Sequence, residues 1–185
     1  MSKKILILTG SPRRNGNTLK MAKAFEKGAL EAGHEVVWFD AGAKNLKGCR
    51  GCNGCWSKGK ACCQDDDFNE LAELLETCDM LQIVTPLYWF NFPAQIKAAI
   101  DKLYAYGGAG GLRPLSIKET GLFVAGELAD EWEYQPLLDT YKYVFGYLNQ
   151  EDPIKDRGVI RVYGLENPEN LRDALEKAEA FGREV

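Results

Sequence analysis

The sequence has a single histidine, His34, and no excess of basic residues. A Ser-His-Asp triad or a multi-histidine zinc site would depend on that one residue, so we discount both. A net charge of −4 argues against a nucleic-acid partner, because such proteins usually carry a basic surface. No apolar run approaches the length of a membrane span, and Ile5–Leu8 is too short for the apolar part of a signal peptide. These absences predict a cytoplasmic protein.

The size and composition predict one ordinary globular domain. A chain of 185 residues is long enough for one well-filled core and short for two. Hydrophobic residues make up 45% of it and charged residues 27%, which is typical of soluble proteins. We therefore expect a single domain over residues 1–185, with a cysteine-rich loop at about 45–65. The glycine-rich stretch Gly107–Gly111 is interpreted as a loop within that domain.

Short apolar runs alternate with helical patterns along the whole chain. The runs are mostly continuous Ile, Leu, Val and Phe, which is typical of strands that are covered on both faces. Gly33 is expected to end the first helix, and Asp67 with Glu70 to form a capping box at the start of another. The alternation predicts an α/β fold with a doubly wound, five-stranded parallel sheet and helices on both faces. The predicted strands are Lys4–Thr9, Glu35–Asp40, Met80–Thr85, Gly121–Gly126 and Gly158–Tyr163.

The segment Gly10–Thr18 joins the first predicted strand to the first predicted helix. Its sequence, Gly-Ser-Pro-Arg-Arg-Asn-Gly-Asn-Thr, offers backbone N–H groups at a helix N-terminus, hydroxyls and two arginines, all of which bind phosphate. A Walker A loop is excluded, because five residues separate Gly10 from Gly16 and Asn17 stands where the lysine belongs. The dinucleotide pattern Gly-x-Gly-x-x-Gly is absent as well. The alternative is a ligand-free turn capped by Asn17 or Thr18.

Two stretches of the chain resemble a known family. Gly-Ser-Pro-Arg-x-x-Gly-Asn-Thr after a first strand is similar to the NADPH-dependent FMN reductase family of flavodoxin-like proteins, and to the related iron–sulfur flavoproteins. The stretch Thr85–Pro93, followed by Gln95–Lys97 and Ile100–Lys102, resembles the Pro-x-Tyr segment and the next helix of the same family. The resemblance implies a flavodoxin-like fold, FMN as the cofactor and NAD(P)H as a co-substrate.

The resemblance also implies a set of cofactor-binding residues. The aromatic residues at 88–90 could instead belong to an ordinary core. No side chain is assigned as catalytic, although Tyr88 or Glu127 could supply a proton locally. Gly126 and Glu127, at the end of the fourth predicted strand, are candidates for a third binding loop. The phosphate would be held by Ser11, Arg13, Gly16, Asn17 and Thr18, and the isoalloxazine ring would be lined by Pro86, Leu87, Tyr88, Trp89 and Asn91.

Five of the six cysteines lie between Cys49 and Cys63. The run Cys49-x-x-Cys52-x-x-Cys55, followed by Cys62-Cys63, lets thiolates converge on one centre and resembles the compact motif of iron–sulfur flavoproteins. The resemblance implies a [4Fe–4S] cluster on Cys49, Cys52, Cys55 and Cys62, with Cys63 as an alternative fourth ligand. A zinc site, a dithiol/disulfide pair among Cys52, Cys55, Cys62 and Cys63, and thiols without metal are the alternatives. The sixth, Cys78, lies on the apolar stripe of a predicted helix and is expected in the core.

Taken together, these features predict an FMN-binding oxidoreductase. Electrons would pass from NAD(P)H or a ferredoxin-like protein donor to a small acceptor such as a quinone or a flavin. The alternatives are a non-enzymatic electron carrier of the flavodoxin type and a zinc- or thiol-binding regulatory protein. The segment after the fourth strand holds more aromatic residues than one helix face normally buries, which predicts a homodimer or tetramer. These residues are Trp132, Tyr134, Tyr141, Tyr143, Phe145 and Tyr147.

Overall fold

A parallel sheet forms the centre of the molecule. The computed structural model describes residues 1–107, 113–148, 152–164 and 167–185, so residues 108–111 of the predicted loop Gly107–Gly111 lie outside the described residues. The strands are β1 (Lys4–Thr9), β2 (Glu35–Asp40), β3 (Met80–Pro86), β4 (Glu119–Ala125) and β5 (Lys155–Val162). They form one sheet in the order β2-β1-β3-β4-β5, and all neighbouring strands are parallel. The predicted flavodoxin-like fold is confirmed.

Two strands begin earlier than the sequence indicates. β4 starts two residues before Gly121, and β5 starts three residues before Gly158. Gly158 has a φ of 131° and lies where the register shifts, because Thr120 pairs with Asp156 but Leu122 pairs with Val159. β5 therefore holds one extra residue at a bulge, and the prediction that it begins at Gly158 is wrong because the glycine marks that bulge.

Helices cover both faces of the sheet. Two separate clusters of buried apolar side chains show the division: α1 and α6 pack on one face, and α3, α4 and α5 on the other. Within the described parts of the chain, no helix is both long and apolar enough to cross a membrane. The helices are α1 (Asn17–Glu31), α2 (Gly54–Ser57), α3 (Phe68–Leu75), α4 (Ala94–Lys102), α5 (Gln135–Tyr147) and α6 (Pro168–Glu184).

Two glycines let α1 and α6 approach closely. A Cβ atom added at Gly28 would clash with the backbone oxygen of Glu179, and one added at Gly182 would clash with the backbone oxygen of Phe25. The two helix backbones therefore touch directly, which only glycine permits. At the end of α1, Gly33 has a φ of 85° and donates its N–H to Leu30 at 3.0 Å, as predicted for a C-terminal cap.

The long connection between β2 and α3 carries the clustered cysteines and is closed at its base. The N–H of Asn45 donates to the carboxylate of Asp67 at 2.7 Å, and the N–H of Asp67 donates to the carbonyl of Asn45 at 3.1 Å. Glu70 pairs with Lys44 at 2.5 Å. The predicted capping box of Asp67 and Glu70 is therefore wrong, because both carboxylates bind the start of the connection instead of the first turn of α3.

The single histidine has a structural role. Nδ1 of His34 accepts a hydrogen bond from the backbone N–H of Lys3 at 3.0 Å, and its Nε2 lies 2.9 Å from the backbone oxygen of Val185. Both ring nitrogens therefore face backbone partners, which agrees with discounting a histidine-based catalytic or zinc site.

Candidate functional site

The loop Gly10–Thr18 lies at the carboxyl edge of the sheet, where ligands bind in open α/β folds. Oγ of Ser11 accepts from the N–H of Arg13 at 3.2 Å, and the N–H of Gly16 donates to the carbonyl of Arg13 at 3.1 Å. Among the described residues, the N–H groups of Asn17 and Thr18 have no hydrogen-bond acceptor. The positive end of a fifteen-residue helix is therefore open to an anion.

The two arginines of this loop have different partners. Arg14 pairs with the carboxylate of Asp40 at 3.0 Å and does not line the cavity described below, so its role as a second phosphate donor stays a prediction. Asp40 also accepts from the hydroxyl of Thr9 at 3.2 Å and from the N–H of Gly42 at 3.0 Å. This carboxylate therefore joins the loop to the end of β2, while Arg13 lies at the cavity described below.

A tight turn follows β3 at the same edge of the sheet. Tyr88 and Asn91 exchange two backbone hydrogen bonds of 3.0 Å, and the residues between them have positive φ values, 47° at Trp89 and 65° at Phe90. This is the geometry of a type I′ turn, which normally selects asparagine and glycine. Each non-glycine residue in this conformation costs about 1–2 kcal/mol, so the turn presents its aromatic side chains at a real energetic cost.

A cavity of about 760 Å³ lies between the phosphate loop and this turn. Its volume is typical of small-molecule sites. Every cofactor-binding residue predicted above lines it except Asn91, whose side chain instead accepts from the N–H of Phe92 at 2.8 Å and lies 3.4 Å from Thr140. The lining residues are Ser11, Arg13, Asn15, Gly16, Asn17, Thr18, Pro86, Leu87, Tyr88, Trp89, Phe90, Ala125, Gly126, Glu127 and Leu128.

Aromatic side chains stand beside the cavity. Trp89 is 92% exposed, and its ring meets that of Phe90 edge to face with centroids 6.1 Å apart. Phe90 in turn stacks on Trp132 at 6.0 Å with an interplanar angle of 21°. No sequence pattern predicts this contact, because Trp132 is far from the turn along the chain. Trp132 is predicted above only as part of a subunit interface. The three rings form an apolar aromatic cluster of the kind that planar ligands contact.

Tyr134 supports the third loop from below. It is fully buried, and its hydroxyl lies 3.1 Å from the carbonyls of both Leu128 and Val162. Burial is the main cause that raises the pKa of Tyr134 to about 12, so the phenol stays protonated and can donate. A Cβ atom at Gly126 would lie 2.8 Å from this hydroxyl, so glycine is required there. No local sequence pattern marks Tyr134 as part of this site.

The five clustered cysteines line a second, much smaller pocket of about 20 Å³, with Lys102 and Tyr104 in its wall. Among the described residues, none lines both this pocket and the larger cavity. Sγ of Cys52 lies 3.3 Å from Sγ of Cys63. Sγ of Cys62 is buried and accepts from the N–H of Gln64 at 3.5 Å. Cys78 lies apart from the cluster in the core, as predicted.

Local contacts set the acidity of these thiols. The hydrogen bond from the Gly54 backbone, followed by the one from Cys63, lowers the pKa of Cys52. The hydrogen bond to Cys52 and partial desolvation raise the pKa of Cys63, and burial raises that of Cys55. Among Cys52, Cys55 and Cys63, it is therefore Cys52 whose pKa is shifted toward the thiolate form.

Five cysteine side chains line this pocket, so its lining consists largely of thiols that can bind metal. Within the residues that the structure describes, no three His, Cys, Asp or Glu side chains converge closely enough to hold a single metal ion. A four-iron cluster places each thiolate on a different iron atom, so its ligands lie further apart than those of a single ion. The cysteines and the glycine-rich backbone of this loop have the chemistry that either an iron–sulfur cluster or a zinc ion requires.

A buried ion pair lies under the cysteine pocket. The ammonium of Lys102 contacts the carboxylate of Asp66, and their side chains are only 2% and 0% exposed. Asp66 also accepts from the N–H of Lys47 at 2.9 Å and from the N–H of Phe68 at 3.2 Å. Burial would raise the pKa of Asp66, but the hydrogen bond from Lys102, together with those from the N–H groups of Lys47 and Phe68, outweighs it and lowers the pKa. Trp56 adds a stacked contact with Tyr104 at 4.6 Å, so the loop is packed onto the end of α4.

A family model for NADPH-dependent FMN reductases matches residues 3–131, a range that contains the phosphate loop, the cysteines and the aromatic turn. The chain belongs to the NADPH-dependent FMN reductase family.

Curated proteins and solved structures are similar to the chain. An iron–sulfur flavoprotein of Archaeoglobus fulgidus is 38% identical over 100 residues, which are 54% of this chain and 45% of that protein. The chain thus spans about half the length of the curated relatives it matches. An NAD(P)H:quinone oxidoreductase from Methanothermobacter marburgensis has a TM-score of 0.78 at 21% identity, covering 99% of this chain and 96% of that one. An FMN-dependent NADH-azoreductase from Bacillus anthracis, solved with FMN, has a TM-score of 0.72 at 19% identity, covering 100% and 99%. At such identities the two structures show the fold alone.

Proposed function

We propose that this chain binds FMN in the cavity of about 760 Å³ and uses it to pass electrons from NAD(P)H to a small acceptor. One observation carries the proposal: the open N-terminus of α1 and the aromatic turn after β3 line the same cavity. A flavin mononucleotide has a phosphate at one end and a planar ring system at the other. The membership of the chain in the FMN reductase family supports this assignment.

At the phosphate end, the chain would hold an anion with neutral and charged donors. The free N–H groups of Asn17 and Thr18 and the guanidinium of Arg13 would bind phosphate oxygens. Thr18 is 5% exposed, so its hydroxyl would bind from a buried position that excludes water. Because these donors are already held by the loop, little rearrangement is needed on binding.

At the ring end, the turn 88–91 would hold the flavin ring. FMN, when bound, supplies the transfer of one or two electrons, and the protein orients its ring. In the described parts of the chain, the N–H groups of Trp89 and Phe90 have no acceptor, so they are available to the polar edge of the ring. Tyr88 and Glu127 line the same cavity and are the side chains that could donate a proton there.

A comparison of FMN with riboflavin tests the phosphate assignment. Wild-type protein should bind FMN much more tightly than riboflavin, as measured by quenching of flavin fluorescence. Thr18→Val removes one hydrogen bond to a charged group, worth about 1.5–3 kcal/mol, so FMN affinity should fall by at least about tenfold while riboflavin affinity is unchanged. Thr77→Val, at an exposed position in the turn after α3, is the control and should bind both as wild type does. Equal affinity of the wild type for FMN and riboflavin would contradict the proposal.

A steady-state assay separates the reductase from an electron carrier. We expect NAD(P)H oxidation with quinone, flavin or nitro acceptors to be faster than with the same concentration of free FMN. A rate no faster than that of free FMN would favour an electron carrier that a ferredoxin-like protein reduces. The stacked rings of Phe90 and Trp132 support a planar acceptor, because such a molecule can lie against them.

We also propose that the cysteine-rich loop binds a [4Fe–4S] cluster through Cys49, Cys52, Cys55 and Cys62. The iron–sulfur flavoprotein relatives support the cluster. The choice of Cys62 is supported by its burial and by the N–H···S hydrogen bond from Gln64, a contact typical of cluster ligands. Anaerobic purification should give broad cluster absorbance with about four irons and matching acid-labile sulfide per chain. Flavin without iron would leave a plain FMN reductase, and stoichiometric zinc would favour a thiol-binding regulatory protein.

We propose that the protein forms a homodimer or tetramer through α5. Tyr143 and Tyr147 are 72% and 56% exposed and lie one turn apart on this helix, whereas Tyr134, Tyr141 and Phe145 are buried. Exposed aromatic pairs of this kind are typical of subunit interfaces. Sedimentation velocity should show an oligomer that the double substitution Tyr143→Ser, Tyr147→Ser dissociates. A monomeric wild type at micromolar concentration would refute this assembly.

A further inference from the structure

One thiol of the cysteine-rich loop has no place in a four-ligand cluster. A [4Fe–4S] cluster on Cys49, Cys52, Cys55 and Cys62 leaves Cys63 over, yet Sγ of Cys63 lies 3.3 Å from Sγ of Cys52. Both of these residues are exposed, so small molecules in solution can reach them. A disulfide bond is about 2.05 Å long, so a movement of little more than about 1 Å would join the two sulfur atoms.

Gly54 makes room for this approach. A Cβ atom on Gly54 would lie 2.6 Å from Sγ of Cys63, 3.0 Å from its Cβ and 3.5 Å from Sγ of Cys52. Any other residue at this position would force Cys63 to shift from the position in which it meets Cys52. The backbone at Gly54 does not have a positive φ, so it is this space, and not an unusual conformation, that requires glycine here.

We propose that Cys52 and Cys63 form a redox-active dithiol that low-molecular-weight disulfides oxidise to a disulfide bridge. One protein thiol attacks the disulfide of the oxidant, whose S–S bond breaks and releases one small thiol. The second protein thiol then attacks the mixed disulfide, forms the Cys52–Cys63 bond and releases the second small thiol. The pair loses two electrons and two protons, and the two small thiols that leave carry both.

The bridge and the cluster compete for Cys52. A sulfur atom in a disulfide cannot act as a thiolate ligand, so oxidation of the pair would leave Cys49, Cys55 and Cys62 as the remaining ligands. This consequence depends on the proposed cluster, whereas the bridge itself depends on neither the cluster nor FMN. Cys63 would thus make the metal centre sensitive to the thiol–disulfide balance of its surroundings.

Peptide mapping identifies the bridge directly. The protein, freed of metal with a chelator, is equilibrated with mixtures of reduced and oxidised glutathione, alkylated and cut with trypsin. Cleavage after lysine and arginine separates the cysteines into peptides 48–50, 51–58 and 61–97. The proposal predicts a cross-linked 51–58/61–97 species, with fragment ions that assign the bond to Cys52 and Cys63 and leave Cys55, Cys62 and Cys78 alkylated.

Three variants decide the pairing. Cys62→Ser should keep the cross-link at the same glutathione ratio as wild type, and Cys63→Ser should lose it. Gly54→Ala keeps every thiol but separates the pair, so at least a tenfold more oxidising glutathione ratio should be needed for half-formation. Circular dichroism confirms that each variant is folded. The proposal is overturned if Cys63→Ser cross-links as readily as wild type, or if the wild-type bond joins other cysteines.

A second measurement tests the competition. Reduced protein is loaded anaerobically with ferrous iron and sulfide, desalted and then exposed to oxidised glutathione, with iron release followed by a colorimetric chelator. Iron release should accompany bridge formation in wild type, and Cys63→Ser should keep its iron for at least ten times longer. Equal release rates would refute the competition. Failure of reduced wild type to take up iron and sulfide would refute the cluster proposal and leave the peptide map as a separate result.

Discussion

Replacing Lys102 with methionine should destabilise the protein through the carboxylate that it leaves behind. The ion pair of Lys102 and Asp66 is 2% and 0% exposed, and removal of one partner from such a pair typically costs about 3–5 kcal/mol. Asp66 would keep its hydrogen bonds from the N–H groups of Lys47 and Phe68, so the low end, about 3 kcal/mol, is expected. For a chain of this size that loss lowers Tm by about 6–12 °C.

The pH dependence separates this mechanism from lost packing. In the wild type the pKa of Asp66 is lowered, so its contribution to stability is present above the ordinary value of 3.8 and is lost as the pH falls below it. Without the ammonium, burial raises the pKa of Asp66, and mild acid protonates the buried carboxylate. The difference between Lys102→Met and wild type should therefore shrink as the pH falls from neutral to about 4.

The same helix provides the control. Lys97 and Asp101 form an ion pair of 2.5 Å, but their side chains are 43% and 44% exposed. Such a pair contributes about 0.3–0.5 kcal/mol, so Lys97→Met should unfold almost as wild type does. Urea titration between pH 4 and 7 measures both variants. The reasoning is refuted if Lys102→Met costs no more than Lys97→Met, or if its deficit grows in acid.

Other substitutions test the packing of the helices and the strain of the turn. Gly28→Ala adds a methyl group against the backbone of α6 and should cost at least about 2 kcal/mol, whereas Gly146→Ala on α5 meets open space and should be neutral or stabilising in urea titrations. Replacing Trp89 and Phe90 with Asn and Gly relieves two left-handed residues at about 1–2 kcal/mol each and removes the stacking of Phe90 on Trp132, so the flavin-free protein should gain about 1–3 kcal/mol while its affinity for FMN falls. A flavin-free variant less stable than wild type would show that the turn is not strained.

Local sequence patterns were sufficient for the sheet and for the phosphate loop. Strands such as Lys4–Thr9 can be predicted from their continuous apolar residues, because they are buried on both faces. The loop Gly10–Thr18 can be predicted from the chemistry of its consecutive residues. The cavity could therefore be anticipated from residues close together in sequence. The position of Asn91 outside the cavity could not be anticipated in this way, because its side chain binds Phe92 and Thr140 instead of facing the cavity.

The structure departs from the sequence predictions at side chains whose partners lie far away along the chain. The sequence does not distinguish Arg13 from Arg14, but the carboxylate of Asp40, 26 positions beyond Arg14, forms an ion pair with Arg14. Asp67 has the position of a helix cap, yet the N–H of Asn45 is its partner from 22 positions away. In each case a charged side chain can reach several donors, and the tertiary fold selects among them. Patterns read along the chain carry no information about that selection.

The hydrogen bonds between Asn45 and Asp67 bring the two ends of the cysteine-rich connection together at one point. Because its ends meet, the segment between them can lengthen, shorten or be exchanged without altering the spacing of β2 and α3. Cysteines could therefore be added, removed or moved within this segment without changing the cavity of about 760 Å³, which shares none of its described residues. The same joint gives protein engineers a defined place to graft another redox centre onto this fold.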